Sequence, residues 1–158
     1  LPGEGKSFVA SNLALAFASQ GQRTIIVDCD LRKPSVQASF RLRTTKGVTG
    51  CCLHGVPLDA AITTEVHPNL DVLVAGARPR NPIQLFGSHE FEVLVAELAR
   101  RYDRVVFDTP PVGVVSDALN VLPMMDGVIY AIRFNAVARR IARRHARSVL
   151  RSTHWRFA

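Results

Sequence analysis

Three short runs constrain this chain more than any other feature: TIIVDCD (24–30), NLDVLVAG (69–76) and RVVFDTPP (104–111). Each is apolar at consecutive positions and rich in β-branched residues. That pattern suits strands covered on both faces, as in a parallel sheet. Helical spacing separates them. In FVASNLALAFAS the apolar residues Phe8, Val9, Leu13, Ala16 and Phe17 share one side, and Gly21 ends the segment. PIQLFGSHEFEVLVAELARRY reads as one helix opened by Pro82. SDALNVLPMM reads as a short helix capped by Ser116, GVIYAIRF (127–134) as a fourth strand with Tyr130 in the core, and 136–151 as a last helix. Short helices around GVTGCCLHGVPLDAAI fill the stretch 35–66. Strands alternating with helices predict an α/β fold with a doubly wound, mostly parallel sheet and helices on both faces. The 158 residues suit one domain, 1–158.

The chemistry gathers where such strands end. PGEGKS leads directly into the first helix and matches the second half of the phosphate-loop pattern G-x-x-x-x-G-K-[S/T]. Small residues there let backbone N–H groups surround phosphates, Lys6 reaches phosphate oxygens, and the Ser7 hydroxyl suits Mg²⁺. IIVDCD delivers Asp28 and Asp30 to the carboxyl edge of its strand, on one face, with Cys29 facing the other way. Ligands of open α/β sheets bind at that edge. The pair can hold a hydrated Mg²⁺, or one member can act as base toward a hydroxyl. VVFD brings Asp108 to the same edge, the usual place of a second acidic magnesium ligand. Loop, D-x-D and strand-end Asp together predict a magnesium–nucleotide site.

Other classes fit less well. No run approaches the ~20 apolar residues of a membrane span, and Gly3, Glu4 and Gly5 break any secretory pattern. Cys29, Cys51 and Cys52 form no C-x-x-C, which suits a reduced cytosolic setting and packing roles. The five histidines show no zinc spacing, and no Ser–His–acid pattern is evident. All 13 acidic residues lie at or before Asp126, whereas from Arg133 onward there are eight Arg and no acid. That basic segment reads either as a solvated outer helix or as a face for an anionic surface. No aromatic interleaves with the Arg run before Trp155, so no nucleic-acid partner is expected.

These motifs resemble the cytoplasmic ATPase domain of bacterial tyrosine kinases that act in capsule and exopolysaccharide export. The matching stretches are PGEGKS, IIVDCDLRKPS, GVTGCCLHGVPLDAAI, NLDVLVAGARPRNPIQL and YDRVVFDTPPVGVVSDA. The resemblance implies a P-loop NTPase fold, here lacking its first strand and clipped at both ends. It implies ATP and Mg²⁺ as cofactors and transfer of phosphate to protein tyrosine. Gly3, Glu4, Gly5, Lys6, Ser7 and Phe8 would line the nucleotide, with Lys6, Asp28, Asp30 and Arg32 catalytic and Ser7, Asp30 and Asp108 holding the metal. Implied partners are a polysaccharide co-polymerase membrane protein or domain, further copies of the chain, and a cognate phosphatase, at the inner face of the plasma membrane. Phe8 replaces the usual Thr, so residues 1–158 alone are expected to bind nucleotide poorly. The family's tyrosine cluster has no counterpart, since only Tyr102 and Tyr130 are present. Leu1 and Pro2 stand where related partition-type ATPases carry Lys and Gly, which favours the kinases. A partition-type switch and a catalytically inactive docking module stay open.

Overall fold

The computed structural model describes residues 5–111, 117–132 and 139–152. Strand β1 (Thr24–Asp28) is buried along its whole length. It pairs in parallel with β3 (Leu70–Leu73) on one side and with β4 (Arg104–Asp108) on the other. An antiparallel edge strand, β2 (Thr63–His67), completes the order β2-β3-β1-β4. The mostly parallel α/β sheet expected from the three apolar runs is therefore present.

Alternation along the strands divides the core into two layers. Ile25, Val27 and Cys29 pack with Leu73, Phe86, Phe91 and Leu98 on one face. Ile26 packs with Val72, Val106, Ala14 and Ala18 on the other. The first layer is roofed by α3 (Val48–His54), α5 (Pro82–Phe86) and α6 (His89–Arg101), and the second by α1 (Lys6–Ser19) and α2 (Val36–Ser39). A short α4 (Leu58–Ala61), α7 (Asp117–Val121) with a following 3-10 turn, and α8 (Arg139–Ser152) complete the described elements.

Three expectations need correction. The segment 82–102 is two helices. It breaks at Gly87–Ser88, where the Ser88 hydroxyl accepts from the Phe91 amide (3.3 Å), and Phe86 meets Phe91 edge to face at 5.0 Å. β2 was unforeseen because TTEVH has no buried face; the Pro68–Asn69 turn that joins it to β3, with Asn69 at φ 63°, was the available signal. The expected strand 127–134 is not formed over 127–132, and residues 133 and 134 lie outside the described residues. A cavity of about 670 Å³ lies between 127–131 and β4, the last strand of the described sheet, and keeps the two apart. Ile129 and Ile132 are exposed and Tyr130 is half-buried rather than core. Ser116 also lies outside the described residues.

One backbone contact ties the first layer to the sheet. Val48 and Thr49 donate their amides to the carbonyls of Val74 (2.9 Å) and Ala75 (3.0 Å). Gly47 lies so close that a Cβ there would stand 2.1 Å from the Val74 oxygen.

Candidate magnesium and nucleotide site

Parallel pairing brings the first strand-end acids together. β1 and β4 are in register through Asp28 and Asp108, which lie side by side on neighbouring strands. The ladder continues one step further, with the Cys29 amide donating to the Asp108 carbonyl at 2.7 Å. Helix α1 starts over the same edge. Gly5 precedes it at φ 80°, ψ 17°, a left-handed conformation that glycine adopts without a side-chain penalty. Lys6 and Ser7 follow in the first turn, both half-buried. Gly3 and Glu4 lie outside the described residues.

Asp108 is the centre of this group. It is 2% exposed, the Ser7 hydroxyl hydrogen-bonds its carboxylate, and its Oδ2 is buried with no hydrogen-bond partner among the described residues. Burial raises its pKa most, Asp30 adds to the rise, and the Ser7 bond and Lys6 oppose it. Asp30 and Lys6 therefore both act electrostatically on this carboxylate. A hydroxyl and two carboxylates form a hard, all-oxygen donor set, and a buried acceptor without a donor has room for a cation's attraction. The residues present fit a partly hydrated Mg²⁺.

Cys29 joins Ile25 and Val27 in the layer opposite to Asp28, as alternation requires, and Asp30 follows just beyond the strand. The two acids differ in setting. Asp30 is half-buried, and its Oδ1 accepts from the Lys33 amide (3.0 Å). Asp28 is fully buried, and its oxygens accept from the amides of Asp30 (3.1 Å), Ser35 (3.0 Å) and Val36 (3.0 Å). Burial pushes its pKa up to about 6, with Asp108 adding to the rise against the lowering by these amides. The occupied state of Asp28 escaped the sequence reading, because spacing tells which face a side chain takes and not how deep it lies. Arg32 is half-buried in the turn after Asp30. Phe8 is 72% exposed on the first turn of α1.

The remaining tyrosine and the cysteines lie elsewhere. Tyr102 donates its hydroxyl to Asp71 Oδ2 at 2.6 Å, and burial together with that bond raises its pKa. Cys51 and Cys52 pack against the first core layer, and burial holds the Cys52 thiol up at about 12. Among the described residues no group of three or more His, Cys, Asp or Glu is arranged to hold a metal, so a cation here would rely on the Ser7 hydroxyl and water beside its two carboxylates. No helix among the described residues is long and apolar enough to cross a membrane.

A family profile described as an AAA domain matches residues 2–141. The tyrosine-protein kinase YwqD of Bacillus subtilis strain 168 is 41% identical over 131 residues, which cover 83% of this chain and 55% of YwqD. The crystal structure of the VpsO kinase domain superposes with a TM-score of 0.90 at 36% identity, over 96% of this chain and 74% of that one. The chain belongs to the bacterial tyrosine kinases of the AAA-domain family. Its fold also resembles that of the septum site-determining protein MinD of Pyrococcus horikoshii, complexed with Mg-ADP. There the TM-score is 0.63 at 22% identity, over 77% of this chain and 49% of that one. The chain spans about half the length of some curated relatives it matches, 55% in the case of YwqD, and less than a fifth of others, 18% in the case of EpsB of Ralstonia solanacearum.

Proposed function

We propose that this chain is an ATP- and magnesium-dependent protein-tyrosine kinase domain that regulates exopolysaccharide or capsule biosynthesis and export. The observation that carries the reading is the buried Asp108 carboxylate, bonded by Ser7, acted on electrostatically by Asp30 and Lys6, and keeping one oxygen without a partner among the described residues. A buried acid left in that state costs about 1–3 kcal/mol, and such groups cluster at functional sites.

In this reading the amides of the first turn of α1, with Gly5 and the preceding Gly3 and Glu4, surround the phosphates, and Lys6 neutralises charge on the β/γ oxygens. Ser7, Asp30 and Asp108 hold Mg²⁺, which when bound supplies charge neutralisation at the transferring phosphoryl group. Asp28 and Asp30 form the acidic motif that orients or deprotonates the acceptor tyrosine hydroxyl, and Arg32 stands beside them to meet developing negative charge. Phe8 offers no hydroxyl to the nucleotide, which weakens binding by residues 1–158 alone. Tyr102 is committed to Asp71 and is a poor acceptor. A polysaccharide co-polymerase at the inner face of the plasma membrane, further copies of the chain and a phosphatase are the proposed partners; no nucleic acid is.

The test is phosphotyrosine formation with Mg-ATP by the full-length protein, beside Lys6→Ala. Phosphotyrosine that Lys6→Ala abolishes is the expected result. ATP hydrolysis without phosphotyrosine would overturn it in favour of a partition-type switch. Absence of nucleotide binding by the full-length protein would leave a docking module.

A further inference from the structure

The two acids of the D-x-D pair are treated alike by spacing, but the fold separates their tasks. We infer that Asp28 is a positioning residue: it fastens the loop 29–36 and so sets where Asp30, which acts on Asp108, and the turn that carries Arg32 stand. The inference rests on the kinase reading and deepens it, because the acid presented to the acceptor is then Asp30 alone.

The geometry is that of a knot. Asp28 Oδ1 accepts from the amide of Asp30, at the start of the loop, and Oδ2 accepts from the amides of Ser35 and Val36, at its end. One side chain thus joins the two ends of the loop and supplies the acceptor for the opening turn of α2. Leu31 and Val36, both at most 2% exposed, anchor the loop to the core from inside. Within this outer ring lies a smaller one: the Lys33 amide approaches Asp30 through both its Oδ1 (3.0 Å) and its carbonyl (3.2 Å), and Arg32 sits on that turn. Because Asp28 is also the register partner of Asp108, the knot is tied on the strand next to the proposed metal ligand.

A proton acceptor needs an oxygen within reach of the substrate hydroxyl. A carboxylate has about four acceptor positions, and three at Asp28 are engaged by fixed backbone amides in a fully buried setting. Asp30 is half-buried, spends one amide contact on Oδ1, and acts electrostatically on Asp108.

The experiment uses the full-length protein and the variants Asp28→Asn, Asp28→Ala and Asp30→Asn. Backbone amide exchange at 30, 35 and 36 is measured alongside kcat and KM for Mg-ATP. In Asp28→Asn the carbonyl oxygen still accepts from Ser35 and Val36. We expect kcat within roughly tenfold of wild type, a several-fold higher KM, and amide exchange at least tenfold faster at 30. In Asp28→Ala exchange rises at all three positions; if that variant does not fold, the Asn variant carries the test. Asp30→Asn is expected to lose roughly a hundredfold or more in kcat, the range of a lost general base, with exchange unaltered at 35 and 36. A hundredfold fall of kcat in Asp28→Asn with unaltered KM and exchange would overturn the assignment and make Asp28 the base. Exchange does not require activity. A wild type without phosphotyrosine therefore removes the kinase reading, while the exchange rates still decide the knot.

Discussion

Strand β4 has an aspartate at each end, and the two are treated in opposite ways. Asp103, just before the strand, is solvated and accepts from the Arg23 amide (2.9 Å) and from its guanidinium (2.8 Å through Nη2). The Arg23 hydrogen bonds hold its pKa below the usual carboxylate range. Asp108, closing the strand, is buried, has no partner for Oδ2 among the described residues, and has a raised pKa. The first arrangement is complete without any ligand. The second leaves a buried acceptor open, which in the proposed reading a cation completes. The two settings lie at opposite ends of a strand only five residues long.

The sharpest way to break that contrast is Asp108→Asn. Activity of the full-length protein is expected to fall by two orders of magnitude or more, while the urea midpoint stays the same or rises, because a buried charge is removed. Loss of folding instead would show that Asp108 serves the fold, as Asp103 does. The pH dependence sharpens the contrast next. The folded pKa of Asp28 is raised from 3.8 to about 6, so its contribution to stability is fully present below its unfolded value and is lost as pH rises through the folded one. For Asp28 the window runs from the ordinary carboxylate range up to about 6. Metal-free protein should therefore lose stability across that window, by on the order of 1–3 kcal/mol, as read by thermal midpoints. A midpoint that rises with pH over the same range would contradict the buried setting. The smallest effect belongs to Asp103→Asn. The midpoint should shift slightly at low salt and hardly at all at high salt, with activity unchanged, as for solvent-exposed ion pairs.

The parts legible in the sequence were those where burial imposes composition. β1, β3 and β4 announce themselves because both of their faces are covered, and Asp28, Asp30 and Asp108 stand out as charges closing apolar runs. β2 carries no such mark, since an edge strand with solvated faces needs only backbone partners. GVIYAIRF misled for the converse reason: its apolarity reads as burial, yet Ile129 is 64% exposed beside the cavity along β4. The break at Gly87–Ser88 was visible as a helix stop followed by an N-cap, but the continuous apolar spacing across it was the stronger signal. At the site, alternation placed Cys29 in the layer opposite to Asp28. Two of the three amides that close on Asp28 come from Ser35 and Val36, further along the chain, which no local pattern announces.

Gly47 has a consequence for anyone reading this protein through its variants. The atoms a Cβ there would meet are all backbone, the Val74 carbonyl oxygen at 2.1 Å and the Gly76 nitrogen at 2.7 Å, a clearance that excludes even a methyl group. In a growth-based selection, every replacement at 47 would vanish from the library as surely as replacements of Lys6. A map of intolerance alone would paint both as one functional surface. Abundance of folded protein, scored separately from rate, is what tells a position where the backbone needs clearance from one where a ligand needs a partner.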